Sequence, residues 1–61
     1  MTEPEYVPHR LLRKRVRDIA SGIEGELMAV IDEGVHDIAY IRKADGREFT
    51  TLAANVQAAG Q

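Results

Sequence analysis

Two runs of strand-forming residues, 36–43 and 47–52, flank Asp45-Gly46, and this dipeptide constrains the fold more than any other feature of the chain. Asp-Gly between strand-like runs marks a hairpin, because both residues tolerate the left-handed backbone that a tight reversal needs. Two registers are open. A two-residue loop sets Lys43 opposite Glu48 and Arg42 opposite Phe49. A three-residue loop, Ala44-Asp45-Gly46 with Gly46 in a left-handed bulge, sets Arg42 opposite Glu48 and Ile41 opposite Phe49. The second is favoured, since it brings the only Phe to Ile41 in the core. Tyr40, Arg42, Glu48 and Thr50 then share the outward face.

A further strand precedes this hairpin. In Glu26–Asp32, alternation sends Leu27, Ala29 and Ile31 to one face and Met28 and Val30 to the other. A strand apolar on both sides belongs inside a sheet or in a covered barrel wall. Asp32-Glu33-Gly34 ends it as a turn. Downstream, Ala53-Ala54-Asn55 reads as a short helical turn before a last strand at 56–58.

Residues 10–27 carry two competing signals. Leu12, Val16, Ile19, Ile23 and Leu27 recur at helical spacing, which supports a helix over 10–21 ending at Gly22. The rival reading makes 14–20 a strand, Ser21-Gly22 a turn and 25–32 the next strand. A helix continuing to 27 would hold Gly22 and Gly25 inside it, each costing about 1 kcal/mol relative to Ala.

At 61 residues the chain is one small domain. A chain of this size buries only about 60% of the surface its unfolded form exposes. Without Cys it has no disulfide to compensate. Residues 1–9 read as a flexible tail bracketed by Pro4 and Pro8, from which Tyr6 and Val7 are placed to dock on the core, and 59–61 as a fraying C-terminal end. The longest apolar run, Leu27 to Ile31, is far below the roughly 20 residues of a membrane helix. The start, Met1-Thr2-Glu3-Pro4-Glu5, is acidic and unlike a signal peptide, so the expected setting is cytoplasmic, without a membrane.

The net charge of −2 hides a segregation. Arg10, Arg13, Lys14, Arg15 and Arg17 stand together without an acid, while Asp18 to Asp37 contains six acids and no Lys or Arg. The basic run is a candidate nucleic-acid contact through counterion release. The competing reading, favoured by the pI of about 5.5, is a solvated face paired with the acidic stretch.

Catalytic chemistry has little to stand on. Ser21 is the only Ser, sits in a turn, and has no base at a readable spacing. His36 and Asp37 with Asp32 and Glu33 form the one cluster suited to a weak cation, but turns favour such residues on conformational grounds alone. Glu24 and Glu26 share a strand face and read as solvated, and no phosphate-binding loop is present. The chain is therefore read as non-enzymatic, without metal or cofactor.

The order Val16-Arg17-Asp18, Ser21-Gly22, Gly25-Glu26-Leu27-Met28, Ala39-Tyr40-Ile41-Arg42, Gly46-Arg47-Glu48-Phe49 and Asn55-Val56 resembles the SH3-like small β-barrel in its KOW- and Tudor-like forms. It is especially similar to short uncharacterised bacterial proteins with a Gly-Arg-Glu-aromatic element. The likeness spans about 14 to 58; Pro8–Lys14 has no counterpart in it. It implies an all-β barrel of five strands near 14–20, 25–32, 36–43, 47–52 and 56–58, within a single domain over 10–58. The alternative is an α+β fold with helix 10–21 packed on a three-stranded meander. Barrels of this kind usually bind nucleic acid or peptide segments, although fold does not fix function. The first expectation is a module that binds a protein or peptide through Tyr40, Arg42 and Glu48, residue types suited to an interface. Nucleic-acid binding through residues 10–17, with Tyr40 as a stacking platform, comes second. Self-association burying Leu11, Leu12 and Val16 comes third, so the expected state is a monomer or weak homodimer.

Overall fold

The structure, a computed structural model, describes residues 5–59. The expectation that residues 1–4, Gly60 and Gln61 belong to tails lies outside the described residues. Strands β1 (Glu5–Tyr6), β2 (Arg15–Asp18), β3 (Glu24–Asp32), β4 (Asp37–Arg42), β5 (Glu48–Leu52) and β6 (Val56–Ala58) form one antiparallel sheet in the order β5-β4-β3-β2-β6. The long β3 organises it. One edge of β3 pairs with β4, and the other is shared by β2 near Glu24–Glu26 and β1 near Ile31–Asp32. The hydrogen-bonded path is open, with β5 and β6 at its ends.

The sheet nevertheless folds over on itself. Three strand spacings separate β2 from β5, about 14 Å in a flat sheet. Yet the Thr51 hydroxyl on β5 donates to Asp18 Oδ1 on β2 at 2.8 Å. The concave side holds Leu11, Val16, Leu27, Val30, Ala39 and Ile41, with Val7, Phe49, Ala53, Val56 and Ala58 packed against them. Leu27, Ile41, Val16 and Val30 are fully buried, each removing apolar surface worth about 1.5–3 kcal/mol from water.

Segment 10–21 is not a helix. His9 Nδ1 accepts the Leu11 N–H and the His9 carbonyl accepts that of Leu12, so a single turn starts. Arg13 then takes φ +67°, a left-handed conformation that a helix cannot continue through. Its N–H donates to the Leu27 carbonyl and the chain enters β2. The helical stripe is dispersed: Val16 and Leu27 lie in the core, whereas Leu12, Ile19 and Ile23 are exposed. Pairing across β2, β3 and β6 satisfies the backbone better than one short isolated helix would. This rules out the α+β alternative, and strand β2 stops at Asp18 rather than residue 20.

Strand β3 does not alternate throughout its length. The expected alternation grouped Leu27 with Ala29 and Ile31. The β3–β4 register instead shifts between Leu27 and Ala29, an irregularity of the β-bulge kind. Parity flips there: Leu27 and Val30 both face the core, while Ala29 and Ile31 oppose Tyr40 and Ile38 on the convex side.

Part of the segment read as an N-terminal tail is attached to the sheet. Glu5 and Tyr6 pair with Asp32 and Ile31, and the Val7 N–H donates to the Val30 carbonyl. At the other end, the Ala59 N–H donates to Arg15. Ala53–Asn55 forms a 3-10 turn before β6.

The β4–β5 hairpin has the three-residue-loop register, with Arg42 opposite Glu48 and Ile41 opposite Phe49. Gly46 sits at φ +88°, and Asp45 Oδ1 accepts the Arg47 N–H. Gly46→Ala is expected to cost about 1–2 kcal/mol through the left-handed penalty. Gly46→Asn should cost less, since Asn tolerates this conformation. Paired thermal melts of the two variants read the difference.

Candidate functional site: the convex face of the sheet

Strand pairing places residues from distant parts of the chain in transverse rows, because directly opposed antiparallel residues share a face. On the convex face, one row runs Arg15–Glu26–Arg42–Glu48 across four strands. A second runs Gln57–Arg17–Glu24. A third is Ala29–Tyr40–Thr50, and a fourth is Tyr6–Ile31–Ile38–Leu52. The face is therefore polarised along the strands. Alternating charges occupy one end, an apolar row occupies the other, and Tyr40 stands between them.

The candidates Tyr40, Arg42 and Glu48 thus lie on one surface, together with Arg15 and Arg17 of the basic run. Tyr40 is half-buried, and its hydroxyl donates to Glu33 Oε2 at 2.8 Å. That bond raises the phenol above its ordinary range, assisted by partial desolvation and by the charges of Glu33 and Glu48. Arg42 opposes both Glu26 and Glu48, but has no carboxylate within 4.0 Å among the described residues.

Two members of the basic run are engaged. Arg13 Nε lies 3.2 Å from Glu26, and Arg15 Nη2 lies 3.1 Å from Glu24. These exposed pairs are worth little in stability, at most about 1 kcal/mol each. They do place two carboxylates inside the basic patch, as a charge-paired face requires. Arg10, Lys14 and Arg17 remain exposed and outside any ion pair among the described residues.

Leu11 and Val16, expected to serve self-association, are buried in the chain's own core, while Leu12 is partly exposed. Ser21 Oγ donates to Asp18 Oδ2 at 2.6 Å and accepts the Ile23 N–H, so its contacts are those of a turn. Among the described residues no three His, Asp or Glu side chains converge as metal ligands, including those around His36. No helix among them is long and apolar enough to cross a membrane.

The apolar row escaped the sequence reading as a unit. Ile38 opposite Leu52 follows from the favoured hairpin register. Tyr6 and Ile31 join the row only through the β3 bulge and the β1 pairing. Tyr6 is 69% exposed, Leu52 36% and the neighbouring Val35 88%, so this end is largely uncovered.

Comparison with family models, curated proteins and solved structures gives no significant match to this chain.

Proposed function

We propose that this chain is an SH3-like small barrel, of the KOW- and Tudor-like kind, acting in the cytoplasm as a non-enzymatic module that binds a protein or peptide through its convex face. The strand order, the 3-10 turn before β6 and the Thr51–Asp18 contact across the fold support the barrel reading. The binding reading rests on one observation: Tyr40 and the row Tyr6–Ile31–Ile38–Leu52 form an apolar and aromatic surface beside Arg42, which has no ion-pair partner among the described residues. Exposed apolar surface rimmed by polar groups is what interaction sites use. Tyr and Arg are the side chains that most often anchor them.

The second reading is nucleic-acid binding, which the exposed Arg10, Lys14 and Arg17 favour. It ranks lower because Glu24 and Glu26 neutralise Arg15 and Arg13. Tyr40→Ala is expected to retain the wild-type circular dichroism spectrum and to lose partner capture in a pull-down. Unchanged capture by the folded variant would remove this face from consideration. A salt-sensitive shift of a labelled oligonucleotide, lost in Arg10→Glu/Lys14→Glu/Arg17→Glu, would move the assignment to the basic segment.

A further inference from the structure

The convex-face row Arg15–Glu26–Arg42–Glu48 alternates in sign across four strands. It holds as many cations as anions, so it selects neither a basic nor an acidic partner. Read backwards, however, it carries the opposite charge at every position. A partner that presents the same row reversed therefore answers each charge. Arg42 is free for such an answer: it is exposed, and has no carboxylate within 4.0 Å among the described residues. The neighbouring rows also fit their own reversal. Reversing Ala29–Tyr40 sets the large Tyr40 over the small Ala29. Reversing Tyr6–Ile31–Ile38–Leu52 sets apolar on apolar throughout.

We propose that a second copy of this chain covers the convex face, about a two-fold axis that runs along the strands midway between β3 and β4. Packed sheets keep their strand directions within about 30° of each other, which such an axis allows. Every row then lies on its own reversal. Glu26 meets Arg42 of the second copy, Arg15 meets Glu48, Ile31 meets Ile38, and Tyr40 meets Ala29. Other axes do worse. One across the strands sets the charged row on like charges or on an uncharged row. One along β3 itself sets Glu26 on Glu26 and Arg42 on Arg15, and like charges so placed repel. An axis between β2 and β3 leaves Tyr40 and Arg42 unanswered, and one between β4 and β5 leaves Arg15 and Glu26 unanswered. The curvature of the sheet carries β2 and β5 away from the contact, so β3 and β4 make most of it. An interface that small gives a weak dimer. The assignment rests on the convex-face reading above and names its partner.

Sedimentation equilibrium of the full-length chain should show a monomer–dimer equilibrium that added salt weakens. Arg42→Glu sets carboxylates against each other at both symmetry-related contacts, and Glu26→Arg does the same with cations. Each should raise the dissociation constant about tenfold or more. An equimolar mixture of the two variants should form a heterodimer about as tight as the wild-type dimer. In it, unchanged Glu26 faces unchanged Arg42, and the two altered side chains face each other with opposite sign. Circular dichroism establishes that each variant is folded. Arg42→Ala removes an exposed side chain without an ion pair among the described residues, and should weaken the dimer should a charge reversal unfold the chain. A wild-type chain that stays monomeric at millimolar concentration overturns the proposal. If Tyr40→Ala then still loses capture of another protein, the broader reading of the face survives. A dimer whose affinity none of the folded variants changes uses another surface and overturns the proposal. Variants that each weaken the dimer but form no heterodimer on mixing overturn it as well.

Discussion

Gly25→Ala is expected to unfold most of the protein. Gly25 is buried in β3, opposite Val16. A Cβ at this position would collide with the Arg42 carbonyl oxygen and lie 2.8 Å from Ile41 Cγ2 and 2.9 Å from the Arg42 carbonyl carbon. Two of these atoms are backbone, so no side-chain rotation relieves the clash. The strands must separate where β3 passes between β2 and β4. Overpacking of this kind costs about 3 kcal/mol. A single core below about 70 residues rarely supplies more than about 3–5 kcal/mol in total. Urea denaturation read by circular dichroism should therefore find Gly25→Ala largely unfolded without denaturant. A wild-type midpoint would mean that the strands are not this close at Gly25.

The second large effect is at Asp18, a carboxylate only 3% exposed. Its Oδ2 accepts the Ser21 hydroxyl at 2.6 Å and the Ser21 N–H at 3.2 Å. Its Oδ1 accepts the Thr51 hydroxyl at 2.8 Å and the Ala20 N–H at 3.3 Å. No cation among the described residues takes part. The Ser21 hydroxyl does most to hold the carboxyl below its usual range; burial opposes this, and Thr51 and the two N–H groups assist. Asp18→Asn replaces one acceptor by a donor. The hydroxyl facing the new amide nitrogen can turn to accept, but the backbone N–H on the same side, that of Ala20 or of Ser21, cannot. The expected loss is about 1.5–3 kcal/mol, the range for hydrogen bonds to a charged group.

The pH dependence of Asp18 has a definite sign. A depressed folded-state pKa means that ionised Asp18 contributes stability above its unfolded value, near 3.8. That contribution disappears as pH falls through the lower, folded-state value. The gap in urea midpoint between wild type and Asp18→Asn should be full at pH 7 and shrink below about pH 4. An equal gap at pH 7 and pH 2 would show that the charge of Asp18 contributes nothing.

These two residues show where sequence reasoning stops. Gly25 read as a turn or strand boundary, and nothing adjacent to it in sequence signals the Arg42 carbonyl across the β3–β4 pair. Asp18 stood at the head of the acidic stretch. Its tie to Ser21 is local, but its tie to Thr51 spans 33 positions. By contrast, the hairpin register was legible because Asp45-Gly46 and the need to shelter Phe49 act over a few residues. The 3-10 turn at 53–55 and the short strand after it were legible for the same reason.

Of the candidate site, the shared face of Tyr40, Arg42, Glu48 and Thr50 followed from that register. Its continuation to Arg15, Glu26, Ile31 and Tyr6 did not. That continuation depends on which strands become neighbours and on the bulge between Leu27 and Ala29. One inserted residue reverses the facing of everything beyond it.

By itself, the sequence determined the β-meander from Glu26 to Leu52, its turns and its hairpin register, because strand propensity and turn chemistry are short-range. Only the tertiary structure decided that residues 10–18 leave a helical stripe for a left-handed turn and a strand. It also decided that the acids of β3 meet the arginines of β2, and that Tyr6 and Ile31 join Ile38 and Leu52 in one apolar row. Those outcomes depend on pairing between distant segments, where satisfying backbone hydrogen bonds and burying the concave face outweigh local preference.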